Sequence, residues 1–509
     1  MDFTQIGGVV IFFASTLLIL SIYKQRRSHL PSPPGPFALP VIGHLHLLGP
    51  RIHHTFHDLS QRYGPLFQIR LGSVRCVVVS TPELAKEFLK THELVFSARK
   101  HTTAIDIVTY DSSFAFSPYG PYWKYIKKLC TYELLGARNL SNFEPIRKFE
   151  VKDFLRVLSN KAKTGEIINV TEELVKLTSN VISHMMLGLR CSETEGEAEA
   201  ARNVIRDVTQ IFGEFDVSDI IWFCKNFDLQ GIRRRSEDIQ KRYDTLLEKI
   251  ITDREKKRGG GGSGSGGDAK DFLDMLLDVM ESKNSDVKFT REHLKALILD
   301  FFTAGTDTTA IAVEWSIAEL LRNPKVLEKA QEEIDNVVGS GRLLQESDAS
   351  KLPYIMAIIK ETFRLHPPIP MISRKSVSDC AINGYMIHAQ TLLFVNIWSI
   401  GRNPKYWESP MEFRPERFLE PGFGSIDVKG QNFELMPFGT GRRGCPGMLL
   451  AMQELVSILG ALVQCFHLEL PDGSQNVDMT ERPGLTAPRA YDLVCRVVPR
   501  VDVALVSGD

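Results

Sequence analysis

Phe438-Gly-Thr-Gly-Arg-Arg-Gly-Cys-Pro-Gly447, with the apolar stretch Met448 to Phe466 in helical period behind it, is the segment on which the fold turns. Gly439, Gly441 and Gly444 spell G-x-G-x-x-G, but a dinucleotide loop needs a strand before it, a helix after it and an acid about twenty residues on. Pro437 and Phe438 disturb the strand side, Glu469 comes late, and no βαβ unit fits in the remaining chain. Cys445 offers a better reading. Glycines around it let backbone N–H groups turn toward the sulfur. A helix beginning at Pro446, a favoured first-turn residue, brings its positive end to the same place. A sulfur held this way suits the axial position of a haem iron. Phe438 would shield it, and Arg443 would pair with a haem propionate. The alternative is a reactive surface cysteine in a glycine loop.

Three features further out bear on that choice. Thr290 is a good N-cap, and the period after it predicts a helix to Asn323, where Pro324 stops it. Its centre, Leu297 to Ala312, is apolar on nearly every face, which predicts burial on all sides. Ala304-Gly-Thr-Asp-Thr-Thr309 interrupts that centre, and burying an acid and a hydroxyl there needs a reason. Gly305 would admit a flat cofactor close to the backbone, and Asp307 with Thr308 would relay protons. A helix bend from threonine back-bonding is the plainer reading. Glu361 and Arg364, spaced i, i+3, share a helix face, and Arg417 downstream would turn the pair into a buried network. Trp123 and Lys127 stand one helical turn apart and, like Arg374, could reach propionates. The plainer reading of each cation is a surface charge.

Apolar residues at 43% and charged residues at 24% exclude a disordered, collagen-like or disulfide-scaffold chain. With 61 basic against 62 acidic residues and a net charge of −1, there is no basic field for nucleic acid. From Phe3 to Tyr23 no charge intervenes, a helix of roughly 31 Å that matches a bilayer core. Only Asp2 precedes the run, while Lys24, Arg26 and Arg27 follow it. That charge order predicts a retained anchor with the body in the cytosol, not a cleaved signal peptide. The segments expected are an anchor at 1–24, a basic and Pro-rich hinge at 25–45 and one body at 46–509, with a Gly/Ser-rich surface loop at 259–267. Cys76, Cys130, Cys191, Cys224, Cys380, Cys445, Cys465 and Cys495 contain no C-x-x-C pair, so no zinc site is expected. His53, His54 and His57 lack a carboxylate at matching spacing and read as structural. The coarse pattern is helix-rich, with a strand pair at Gln68–Gly72 and Val74–Ser80.

Together these residues resemble the cytochrome P-450 superfamily, specifically its plant microsomal members. The resemblance covers the whole chain, and F-x-x-G-x-R-x-C-x-G is met at every position from Phe438 to Gly447. It implies a mainly α fold with a minor β portion, with haem b between the Cys445 loop and the long buried helix. Cys445 is then the iron ligand. Phe438, Gly441, Arg443, Gly447, Trp123, Lys127 and Arg374 contact the cofactor. Glu361, Arg364 and Arg417 form the structural network, and Asp307 with Thr308 the acid–alcohol pair. Lys127 stands where the family usually has Arg, keeping the charge and losing the fork. The implied partners are dioxygen, the lipid bilayer of the endoplasmic reticulum and NADPH-cytochrome P-450 reductase, which Lys124, Lys128 and Arg442 could face.

Within the plant members the sequence is similar to the flavonoid-modifying subfamily that acts on flavanones, the membrane-bound flavone synthases in particular. That implies desaturation of a flavanone such as naringenin across C2–C3. Family analogy lines the pocket with Ile107, Phe116, Phe212, Ala304, Ile369, Met371 and Leu485. Relatives that form isoflavonoid precursors typically carry Ser at the position of Thr308 and Lys at that of Ser373. Flavanone 2-hydroxylation differs only in the fate of the substrate radical. Rivals of another class are a haem-thiolate isomerase that uses no dioxygen, and a non-catalytic carrier of haem or flavonoid.

Overall fold

The computed structural model describes residues 30–191, 197–259, 270–282, 287–471 and 476–503. The run Phe3 to Tyr23 lies outside these residues, as does the Gly/Ser tract beyond Gly259. In chain order the elements that place the site are α1 (Ile52–Tyr63), β1 (Leu66–Leu71), β2 (Val74–Val79), α2 (Thr103–Val108), α3 (Pro121–Lys128), α4 (Glu144–Thr164), α5 (Val170–Leu187), α6 (Glu197–Gly213) and α7 (Ile232–Gly259). They continue with α8 (Arg291–Arg322), α9 (Pro353–Leu365), β3 (Met371–Lys375), β4 (Leu392–Asn396) and α10 (Met448–Cys465).

The expected long helix is α8, 32 residues from Arg291 to Arg322. Its start is fixed by a reciprocal cap. Thr290 Oγ1 accepts the His293 N–H at 3.3 Å, and His293 Nδ1 accepts the Thr290 N–H at 3.1 Å. It ends at Asn323, and Pro324 occupies the first turn of the next helix, Pro324–Val337, where its missing N–H costs nothing. α8 packs against α5, α9 and α10, and most of its residues are buried. Burial is not uniform, however. Ala304 is exposed and Asp307 and Thr308 are half-buried, so one stripe of α8 faces a space inside the molecule.

Gly305 serves another purpose than the one expected. A Cβ there would come within 2.6 Å of Ile182 Cδ1, so the glycine admits α5. α8 and α10 are long and apolar enough to cross a membrane, but 61% and 72% of their apolar windows are buried inside the fold. They are core elements. Leu177, Val181, Ile298, Leu455 and Leu459 belong to the main cluster between them. Each such side chain contributes roughly 1.5–3 kcal/mol through burial.

The expected strand pair is present: β1 and β2 are antiparallel, with Ile69 opposite Cys76. They join a four-stranded sheet in the order β1-β2-β4-β3, β2 and β4 being parallel and β4 and β3 antiparallel. Along β3 the side chains alternate, Ile372 and Arg374 buried and Ser373 exposed. The sheet therefore hands Arg374 to the interior. Two small sheets, one pairing Val494–Pro499 with Ile167–Asn169 and Phe466–Glu469 and one pairing Cys380–Ile382 with Tyr385–Ile387, complete the β portion.

Candidate functional site

The loop before α10 is shaped by glycines at two left-handed positions, Gly439 at φ 68° and Gly441 at φ 65°. At Gly441 a Cβ would also lie 2.4 Å from Glu93 Oε1, so a side chain there would displace the Glu93 carboxylate, but the positive φ is what calls for glycine. α10 starts at Met448 with Gly447 as its N-cap, two residues later than Pro446 suggested, because Pro446 lies in the turn. The Cys445 N–H is held by the Phe438 carbonyl at 2.9 Å. The Phe438 ring meets Phe363 of α9 edge to face, with centroids 5.3 Å apart. Lys127 Nζ donates to the Gly444 carbonyl at 2.8 Å and so braces the loop.

Cys445 is set deep in the fold and yet is solvent-accessible, so it opens on an internal slot. Burial pushes its thiol up, against the Gly447 N–H, Lys127 and Arg99, which pull it down. A coordinated cation is what deprotonates a thiol outright.

Three guanidiniums gather beside this loop. Arg443 is buried, donates from Nε to the Ser97 carbonyl at 2.9 Å and from Nη2 to the Ser117 carbonyl at 2.6 Å, and lies 4.6 Å over the ring of Trp123. Arg374 donates to the carbonyls of Ser373 at 2.8 Å and Arg443 at 3.3 Å. The third, Arg99, was missed in the sequence, where nothing local marks it. Burial and then Arg99 push Arg443 down to about 9, and burial, Arg99 and Arg443 push Arg374 well below its usual range. Arg443 Nη1 and Arg99 Nε have no hydrogen-bond partner among the described residues. Mutually repelling buried cations with spare donors form a receptor for carboxylates.

On α8, Asp307 is pushed up by burial, and Thr308 Oγ1 donates to the Ala304 carbonyl at 2.7 Å, the back-bonded state of the plainer reading. Phe116 meets Phe212 of α6 at 6.5 Å, and α2, which carries Ile107, packs on α6 and α7. The loop bearing Leu485 reaches the end of α6, its N atom 3.8 Å from a Cβ built on Gly213. It is tied to the Ile369 segment by the Ala487 N–H on the Pro368 carbonyl at 2.9 Å. Met371 instead packs beside Phe394 on the cluster of Phe56 and Phe67, on the α1 side of the sheet.

The predicted network exists. Glu361 accepts two 2.7 Å bonds from Arg364 and one of 3.0 Å from Arg417, all three side chains fully buried. Arg364 also donates to the carbonyls of Gly401, Pro410 and Glu412. His53 and His54 do have a carboxylate, which their local spacing did not show, while His57 Nδ1 meets the Ser399 hydroxyl at 2.8 Å. Glu481, far along the chain, accepts from His53 at 2.6 Å, His54 at 2.9 Å and the Trp398 indole at 2.9 Å. Arg442 is engaged by Glu93 at 3.0 Å and by the Tyr119 hydroxyl.

Residues 33–496 match the sequence model of the family described as cytochrome P-450. The chain belongs to that family. It is 58% identical over 98% of both chains to cytochrome P-450 93B2 of Gerbera hybrida. To the 3,9-dihydroxypterocarpan 6A-monooxygenase of Glycine max it is 46% identical, covering 97% of this chain and 98% of that one. To a 2-hydroxyisoflavanone synthase of Glycine max it is 47% identical, covering 94% and 93%. It is thus a plant cytochrome P-450 of the 93 family and a monooxygenase. A solved zebrafish cytochrome P-450 structure with progesterone superposes at a TM-score of 0.75, with 27% identity, covering 88% of this chain and 99% of that one. The cytochrome P-450 family and fold imply a cysteine-ligated haem. The residues present fit that group. The Cys445 thiol is accessible, and the guanidiniums beside its loop have spare donors suited to carboxylates such as propionates.

Proposed function

We propose that this cytochrome P-450 oxidises the heterocyclic ring of a flavanone, with electrons from NADPH passed through a membrane-bound reductase. Haem bound at Cys445 would supply dioxygen activation, which thiolate donation favours. The chain's own residues do the rest. Arg99, Arg374 and Arg443 would fix the propionates, and Lys127 holds the Gly444 carbonyl so that the sulfur stays in place. Phe116, Phe212 and Leu485 would wall the substrate against the Ala304 stripe. Thr308, released from the Ala304 carbonyl, would pass protons inward from Asp307, whose raised affinity for a proton suits a donor.

The observation that carries the substrate class is similarity along the whole chain to enzymes named for isoflavonoid and pterocarpan oxidation. Those names support oxygen insertion on the isoflavonoid side more directly than desaturation. Desaturation to a flavone is supported by Thr308 and Ser373, which stand where isoflavonoid-forming relatives typically carry Ser and Lys. The two readings differ in mass. Microsomes carrying the chain, given naringenin, NADPH and reductase, yield a product two hydrogens lighter if the ring is desaturated, and one oxygen heavier if it is hydroxylated. No product from any flavanone would contradict both.

Residues 3–23 are proposed as an anchor in the endoplasmic reticulum, with the body in the cytosol. Exposed Phe37 and Val41 near the N-terminus and exposed Trp222, Phe227 and Leu229 support a membrane-facing side. Their two regions are joined where Ser73 donates its N–H and its hydroxyl to the Ile220 carbonyl, at 2.8 and 2.5 Å.

A further inference from the structure

We propose that Asp300 of α8 is a positioning residue whose carboxylate fixes the Ser113–Phe116 segment, and thereby sets the shape and affinity of the pocket above the haem slot. The segment lies between α2 and α3 in neither helix nor strand, so its polar groups must find partners outside a ladder. They converge on one side chain. Ser113 Oγ donates to Asp300 Oδ1 at 2.6 Å and the Phe114 N–H to Oδ2 at 2.7 Å, while the Ala115 N–H is shared between Ser113 Oγ at 3.1 Å and Asp300 Oδ2 at 3.4 Å. Bonds from amides to an ionised acceptor are roughly twice as strong as neutral ones.

What the segment carries makes this consequential. Phe114 stacks on Trp123, with centroids 5.8 Å apart and planes 18° off parallel, and Phe116 reaches Phe212 of α6. Arg99, one of the three guanidiniums beside the Cys445 loop, sits 5.9 Å over the Phe116 ring. Asp300, Ala304 and Thr308 follow at i, i+4 and i+8, so the anchor and the pocket wall share one stripe of α8. Release of the carboxylate would free both aromatic contacts together.

The groups facing Asp300 are Arg99, Tyr122 of α3, Cys130 just after it, and Tyr243 of α7. Only Arg99 is cationic among them. Burial pushes the carboxyl up to about 6, against the three hydrogen bonds and Arg99, which pull it down. Above that pH it accepts all three donors. Below it, one oxygen carries a proton and the segment loses an acceptor.

The role rests on the proposed function only in taking the ring-lined space as the substrate pocket, and the test does not need the substrate. The haem-loaded chain and Asp300→Asn are titrated with 4-phenylimidazole, which fills the pocket, and with imidazole, which barely touches its walls. The wild-type to variant affinity ratio cancels the ligands' own titration. For 4-phenylimidazole it should be about tenfold above pH 6 and near one below it, and for imidazole near one throughout. Hydrogen exchange at the Phe114 and Ala115 amides should quicken in the variant at the higher pH. A ratio of one for 4-phenylimidazole at both pH values, or unchanged exchange, would overturn the proposal. If Asp300→Asn does not hold haem, Ser113→Ala removes one bond only. It should quicken exchange in the same segment, and no change there overturns the proposal equally. The predicted ratios without turnover of any flavanone would uphold Asp300's role and contradict the flavanone reading.

Discussion

Thr308 and Asp307 are polar residues on the partly exposed stripe of an otherwise largely buried helix. In the resting geometry the Thr308 hydroxyl is spent on the Ala304 carbonyl at 2.7 Å. In the proposed relay its value would be kinetic, since a hydroxyl can both accept and pass on a proton. Thr308→Ala should leave the fold intact and NADPH oxidation running, while product formed per NADPH falls by about tenfold or more. Unchanged coupling would remove the relay. Cys445, Arg443 and Glu361 were legible in the sequence because a local pattern marks each of them. Arg99 was not, because its meaning comes only from Arg374 and Arg443, which approach from distant parts of the chain. Asp300 could have been found by the argument that singled out Asp307, an acid inside an apolar helix run.

The element scale rewards spacing and punishes inference about neighbours. The Glu361–Arg364 pair was readable from i, i+3 on α9, and Arg417 docks on it as expected. Such a group of buried charges is stable only while complete. Glu361→Gln leaves two guanidiniums without their counter-charge, at about 3–5 kcal/mol, a large part of a typical folding free energy of 5–15 kcal/mol. Thermal unfolding should show a lower midpoint and early haem loss, whereas a wild-type midpoint would mean the network contributes little. Gly305 teaches the opposite lesson. Its small size was rightly noticed, but the sequence does not say which surface approaches a glycine, and Ile182 of α5 is what does. The start of α10 was set too early for a similar reason, because a proline compatible with a first turn also fits the turn before it.

Across the whole molecule, the helical class and the long central helix were visible from periodicity, while the sheet was only half visible. β1 and β2 are adjacent in sequence and pair locally, but β4 and β3 join them from some three hundred residues away, a register no local pattern encodes. The same long-range assembly traps Glu454 of α10, buried and hydrogen-bonded to Thr309 of α8, where burial pushes its carboxyl up to about 8 from an ordinary 4.5. The folded chain therefore holds a proton that the unfolded chain releases. That contribution is fully present below the unfolded value and is lost as pH rises through about 8. Between those limits stability should fall with rising pH, and Glu454→Gln should flatten the slope by up to one proton in denaturant titrations. An unchanged slope would place the proton elsewhere.

Cys445 carries the iron-ligand role that the family and fold imply. The most direct measurement is the absorption spectrum of the purified, haem-loaded chain after reduction under carbon monoxide. The Soret band is predicted to be red-shifted, as thiolate ligation requires, and Cys445→Ser should lose it. A folded wild-type chain that holds haem without that band, or a Cys445→Ser variant that keeps it, would contradict the account.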